Sequence, residues 1–350
     1  MPIELNQIKI MKSQVISDTS SNGGRMSEIE VASGVKNNLW PDVPGSERTN
    51  GSTKFRKVFI KVASPDNLKL IDARIFVETP TPGGDRVVLF TTANGQTDTQ
   101  ADVASLVTLF YGSGQLNADV NAGATTVTVI VEDQTDWMFN PNQLIRISNK
   151  MSVDDPSGTE EFLRIKNDAS GVNWNGNLAT LTLADGTTLA NAYQTTNTRV
   201  APVIEAGEIW ARTDNWALSS PAGTVAGWNG SGTIPDTLTG SRMVDAIAGI
   251  EQTWTITFTN ATTFVCVGDT VGSVGGGTTT AEFAPTHATW SRPYFTFPAS
   301  LWGGTWAAGS VLTFRTHPAA FPVWEKRITP PNTGSLSGNK VIIGISAESE

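Results

Sequence analysis

Apolar and polar positions alternate in short runs along most of the chain, and a period of two predicts β-strands. The clearest run is 52–64, STKFRKVFIKVAS, where Phe55, Val58, Ile60 and Val62 are apolar and Lys54, Arg56, Lys57 and Lys61 stand among them. Runs at 72–78 and 86–91, joined by the turn-forming segment 80–84, predict two more strands and a meander. A helical period emerges at 99–111, where Val103, Leu106, Val107 and Phe110 form one apolar stripe. Thr99 and Asp102 suit its N-cap and first turn, Gly112 ends it, and the stripe implies a helix lying on a sheet. Segments 124–132, 143–148, 160–166, 178–183 and 198–203 then predict short strands with dense turn signals between them, a small barrel or sandwich inserted after the helix.

The two ends of the chain read differently. Residues 1–50 carry short alternation at Ile3, Leu5, Ile8 and Ile10, a turn-rich linker at 17–24, and apolar beads at Val35, Leu39 and Trp40 before a Pro-bounded loop at 41–44. They predict an extended arm that packs on its own body or on a neighbouring subunit. In the last third, 254–259 and 263–267 predict a hairpin, 243–250 a short helix, and the run GSVGGG at 272–277 a flexible loop. That run is Gly-rich like a phosphate cradle, yet no strand–loop–helix frame surrounds it. Runs 294–297 and 311–315 predict half-buried strands, and 340–345 a closing one. Pro318, Pro322, Pro330 and Pro331 forbid a helix and imply edge-like extended chain. The expected fold is mainly β: a multi-module β-barrel or β-sandwich protein with one or two short helices and an extended N-terminal arm. Its expected parts are the arm (1–50), a meander with one helix (51–116), the inserted module (117–203) and a Trp-rich C-terminal module (204–350).

Composition sharpens this picture. Charged residues are 16% of the chain, below the usual quarter, and Trp 11 and Phe 14 against Tyr 3 favour apolar anchors over polar aromatic platforms. The net charge of −9 argues against sequence-independent nucleic-acid binding. It is unevenly spread: residues 1–75 carry a net +3 and the remainder −12, which is read first as a solvated strand face and second as a surface for an acidic partner. A single cysteine, Cys266, rules out an intramolecular disulfide and a Cys-based zinc site. No secretory pattern opens the chain and no run approaches about 18 apolar residues, so a soluble protein made in a cytoplasm is expected.

Candidate chemistry is sparse. His287 and His317 are the two histidines, each beside loop or Pro signals with no acidic neighbour in sequence. Neither a nucleophile-elbow nor a His-Glu-x-x-His motif occurs. Asp154, Asp155, Glu160 and Glu161 cluster in one loop without an ordered calcium-ligand spacing, and the reading is a solvated acidic turn. Carboxylate pairs for glycoside cleavage can be drawn freely from 33 acids, so no pair stands out. No catalysis, no cofactor and no metal are expected.

Two stretches nevertheless carry a distinctive wording: GGRMSEIEVASGVKNNLWPDVPGSERTNGSTKFRKVFIKV at the N-terminal side and PYFTFPASLWGGTWAAGSVLTFRTHPAAFPVWEKRITPPNTGSLSGN at the C-terminal side, with an ISAESE tail. Both resemble a family of tailed-bacteriophage virion proteins, over about half of the chain. The resemblance implies a structural subunit in the virion, first a neck or collar ring component at the head–tail junction, built by arm exchange and β-rich contacts. A tail or baseplate protein joining tube and sheath is the alternative. Its implied partners are other copies of itself and neighbouring structural proteins (tube, sheath, portal or adaptor, or baseplate), with no membrane and no sequence-specific nucleic acid. From another class, a carbohydrate receptor-binding tail protein requires exposed tryptophans in a groove. Interface candidates from the residues are Leu39, Trp40, Phe55, Arg56, Lys57, Trp302, Trp306 and Trp324.

Overall fold

The computed structural model describes residues 2–350 except 94, 106–108, 137, 153–154, 220–222, 227, 229–236 and 239–240. The main sheet forms around Ser52–Val62, which pairs with Ile8–Val15 on one side and Ala320–Thr329 on the other. Gly23–Glu30 extends it beyond the first strand and Arg86–Phe90 beyond the last, antiparallel at every step. Alternation assigns the two faces: Val58, Ile60 and Val62 enter the largest core, while Phe59 packs with Met11 and Ala320 behind.

Leu70–Thr79 leaves this sheet and lies between Ile204–Ile209 and Ile342–Ser349 in a separate three-stranded sheet. A five-stranded sheet follows, ordered Arg212–Leu218, Val311–His317, Gln252–Phe258, Thr263–Gly268 and Gly272–Thr278. Its inner face buries Trp254, Phe258, Phe264 and Phe314, with the Trp254 Nε1–H donating to Thr316 Oγ1 at 2.8 Å. A seven-stranded sheet, running from Val172–Asn175 to Glu160–Arg164, makes a second core with Val88, Phe90 and Trp324 of the main sheet. The protein is therefore mainly β, with two short α-helices, Gly45–Asn50 and Gln100–Val103, and no closed barrel among the described residues. No described helix is long and apolar enough to cross a membrane.

Several expectations are corrected. Of the two positions expected for the N-terminal arm, residues 8–30 take the one on their own body, and they do so as a hairpin hydrogen-bonded into the main sheet rather than as an extended arm. Its short apolar runs find their faces only beside Ser52–Val62, a partner invisible to local reading. The meander over 52–91 does not form, because Ala320–Thr329 inserts between Ser52–Val62 and Arg86–Phe90. The predicted helix is one turn. Thr99 caps Gln100–Val103 with Asp102, as the capping pair implied, but Tyr111 bridges Leu89 as extended chain. Val103 and Phe110 are buried in the second core, while Leu106 and Val107 lie outside the described residues. Segment 243–250 makes turns and a bridge rather than a helix, and 294–297 makes isolated bridges rather than a strand.

The Gly-rich run predicted to be a loop is the strand Gly272–Thr278, paired with Thr263–Gly268. Close approach accounts for two of its glycines: a Cβ at Gly276 would meet the Phe264 carbonyl oxygen at 2.4 Å, and one at Gly277 the Phe264 and Phe283 rings at 2.8 Å, while Gly272 and Gly275 hold φ of +74° and +97°. Gly276→Ala is expected to cost about 1–3 kcal/mol, read as a lower urea midpoint with an unchanged slope.

Proline reading also needs revision. Ala320–Thr329 is a central strand despite Pro322. Pairing with Arg86–Phe90 begins only at Trp324, so the missing Pro322 N–H falls where no second neighbour needs it.

Candidate functional site

Along Ala320–Thr329, successive side chains take opposite faces, so Trp324 turns to the second core while Glu325 and Arg327 share the other side. Register aligns Glu325 with Arg56 and Arg327 with Lys54, which places four charged side chains on one face of the main sheet. Trp40 lies across them. Its ring stands 4.7 Å from the Arg56 guanidinium carbon and 4.6 Å from that of Arg327, and its Nε1–H donates to Glu325 Oε2 at 2.6 Å. Burial pushes the Glu325 carboxyl up to about 7, against the lowering effects of Trp40, Arg56 and Arg327.

The arginines are held unequally. Arg56 donates to the Ser17, Phe55 and Leu39 carbonyls and pairs with Asp18 at 2.8 Å. Arg327 is 5% exposed, yet only its Nη1 is engaged, with the Pro41 carbonyl at 3.1 Å. Its Nε and Nη2 are buried without a partner, and so is the Nε of Arg48 on the Gly45–Asn50 helix. A buried N–H without an acceptor costs about 1–3 kcal/mol, which calls for a reason.

A cavity of about 740 Å³ adjoins these groups, walled by loops 31–43 and 333–343. Val31, Leu39, Trp40, Val87 and Ile343 give it apolar walls, and Lys36, Arg48, Arg327, Lys340, Asp42, Asp85 and Glu325 give it charge. Asp85 is held by the Asn339 amide and sits deep, 4% exposed. Three apolar side chains at the cavity, Val35, Leu336 and Ile342, are 59%, 50% and 39% exposed.

The structure divides the sequence-derived interface candidates three ways. Leu39 and Trp40 line this cavity, and Arg56 holds both, through the Leu39 carbonyl and the Trp40 ring. Phe55, Lys57 and Trp324 lie on the opposite face of the same sheet, where Phe55 is edge-on to Phe90 and Trp324 stacks on that ring. Lys57 is fully buried and donates to the Gly24 and Asp98 carbonyls at 2.7 and 3.0 Å. Trp302 and Trp306 belong to the C-terminal core, with Trp306 stacked on Phe258 at 4.2 Å and Trp302 edge-on to both. Trp306, Trp324 and Lys57 thus stabilise this chain's interior and present no surface to a partner.

Glu325, Arg327 and Arg48 were missed. The available signal was Glu325 and Arg327 two apart on one face of a strand, an expensive pattern for a central strand unless the charges do something.

Folding also gives the histidines acidic partners. His317 Nδ1 meets Glu251 Oε2 at 2.7 Å and Nε2 meets Asp214 Oδ2 at 2.8 Å, leaving neither nitrogen free. His287 Nε2 stands 3.1 Å from Glu28, and burial pulls this histidine below its ordinary value. In the acidic loop, Asp155 accepts from Met151 and Ser157, Glu160 pairs with Arg146 and Lys150, and Glu161 accepts from Ala190, Asn191 and Tyr193. Asp154 lies outside the described residues.

No family model matches the chain, and no curated protein or solved structure matches it either.

Proposed function

We propose that the chain is a structural subunit of a tailed-bacteriophage particle that assembles with copies of itself, first as a neck or collar ring component. The observation that carries this reading is the apolar fringe of the cavity: Val35, Leu336 and Ile342 stand exposed around one opening, where contact with another copy would cover them. Open sheet edges add to it, since Gly23–Glu30 and Ile342–Ser349 each have a single strand partner among the described residues. Val35 and Leu336 fall within the two stretches whose wording resembles virion proteins. Arm exchange by residues 8–30 is not part of the proposal, because that hairpin is paired within its own sheet. A carbohydrate-binding reading gains nothing from Trp302 and Trp306, which are packed against Phe258 and each other.

Sedimentation velocity of the purified chain is expected to give a closed oligomer. Val35→Asp combined with Leu336→Asp is expected to give a monomer with an unchanged circular-dichroism spectrum. A wild-type chain still monomeric at about 100 μM, where a contact of about −5.5 kcal/mol is already half-populated, would overturn the self-assembly reading.

A further inference from the structure

We propose that the floor of this cavity is a binding site for a small monocarboxylate with an apolar body, held by the free fork of Arg327. The Nε–H and one Nη2–H of a guanidinium point the same way and together match the two oxygens of a carboxylate. In Arg327 those two nitrogens are the unpartnered ones, while Nη1, on the other edge, is fixed to the Pro41 carbonyl. The side chain is therefore anchored with its bidentate edge vacant. Stacking against Trp40 holds the guanidinium plane and would limit the ordering lost on binding.

The surroundings select the kind of anion. Lys36, Arg48, Arg327 and Lys340 line the cavity against Asp42, Asp85 and Glu325, so with Glu325 ionised there is an excess of one positive charge, which a monoanion balances and a dianion such as phosphate exceeds. Val31, Leu39, Val87 and Ile343 offer the rest of a ligand an apolar wall. A volume of about 740 Å³ falls within the range usual for small-molecule sites. Both free nitrogens are closed to solvent, so entry requires loop 31–43, which carries Trp40 and Pro41, to lift. The site stands apart from the assembly proposal, since it needs a single copy of the chain.

Isothermal titration of the wild-type chain with hexanoate, hexanamide and inorganic phosphate tests it directly. Hexanoate is expected to bind at least about tenfold more tightly than the neutral hexanamide, as a charge-assisted bidentate contact requires, and phosphate more weakly than hexanoate. Arg327→Lys, which keeps the charge without the fork, is expected to lose most of the hexanoate affinity. Arg48→Gln is expected to weaken it less, and circular dichroism would show both variants folded. Equal binding of hexanoate and hexanamide, no hexanoate binding at millimolar concentration, or unchanged affinity in folded Arg327→Lys would each overturn the site. The comparison of ligands on the wild-type chain holds even if a variant fails to fold.

Discussion

Between pH 7 and pH 9 the fold is expected to gain about 2–3 kcal/mol of stability. The source is a pair of lysines on Ser52–Val62 that the main sheet buries at 0% and 4% exposure. Burial pulls Lys57 down to about 7 and Lys61 to about 8, with nearby carboxylates opposing. The unfolded chain keeps both amines protonated to about pH 10, while the native state has released those protons by pH 9. The unfolded state then binds more protons, so stability rises with pH across this window. Glu325 acts on the other side. Raised to about 7, it stays protonated in the native state where the unfolded state ionises, so its contribution falls as pH climbs from about 4.5 to 7. Cys266, raised to about 12 by burial, subtracts as the unfolded thiol ionises from about pH 8 upward, which takes less than about 1 kcal/mol from the gain by pH 9. These groups place a shallow minimum near neutrality. Urea unfolding at pH 7 and pH 9 checks it, and the double variant Lys57→Met, Lys61→Met should flatten the rise. A wild-type midpoint that falls over the same interval would contradict the assignment.

Arg146→Ala is expected to destabilise the protein by about 3–5 kcal/mol. Arg146 and Glu78 are 2% and 4% exposed and stand 2.6 Å apart as an ion pair, with Glu160 2.7 Å from the same guanidinium. The Arg146 guanidinium also lies 4.5 Å over the Phe76 ring. These contacts join Leu144–Ser148 of the seven-stranded sheet to Leu70–Thr79 of the three-stranded one. Truncating the arginine strands a buried carboxylate that burial already pushes upward. The loss should therefore shrink at pH 5, where Glu78 can take a proton, and the double variant Arg146→Met, Glu78→Gln should regain most of it. Equal losses at pH 5 and pH 7 would show that packing on Phe76, rather than charge, sets the cost.

What local pattern specifies locally was readable. The alternation of Ser52–Val62 and the turn between Gln252–Phe258 and Thr263–Gly268 carry their own geometry, as do the Thr99–Asp102 cap and the five module strands. Pairing across distance was not. Whether Ile8–Val15 is an arm or a strand depends on Lys9 meeting Lys61 and Ile10 meeting Ile60, and nothing near residue 10 encodes that. Gly272–Thr278 looked like a loop because Gly276 and Gly277 answer to Phe264 and Phe283 across the ladder, not to their own neighbours. The cavity was half legible: Leu39, Trp40 and Arg56 were singled out for type, while Arg327 and Glu325 became meaningful only once register set them opposite Lys54 and Arg56. Trp306 and Trp324 were misplaced for the converse reason, since bulk alone does not tell an interior from an interface.

The insertion of Ala320–Thr329 between Ser52–Val62 and Arg86–Phe90 bears on how the protein is made. A ribosome delivers that strand about 260 residues after the one it must pair with, a wait of about 13–50 s at about 5–20 residues per second. Throughout, the nascent chain carries two strands with a vacant lane between them and the apolar faces of Val58, Ile60, Val88 and Phe90 uncovered. Ile342–Ser349 comes later still, so Leu70–Thr79 also waits with one side open. Apolar faces and strand edges left open in this way are aggregation-prone, and a product cut short before residue 320 has no route to the native sheet.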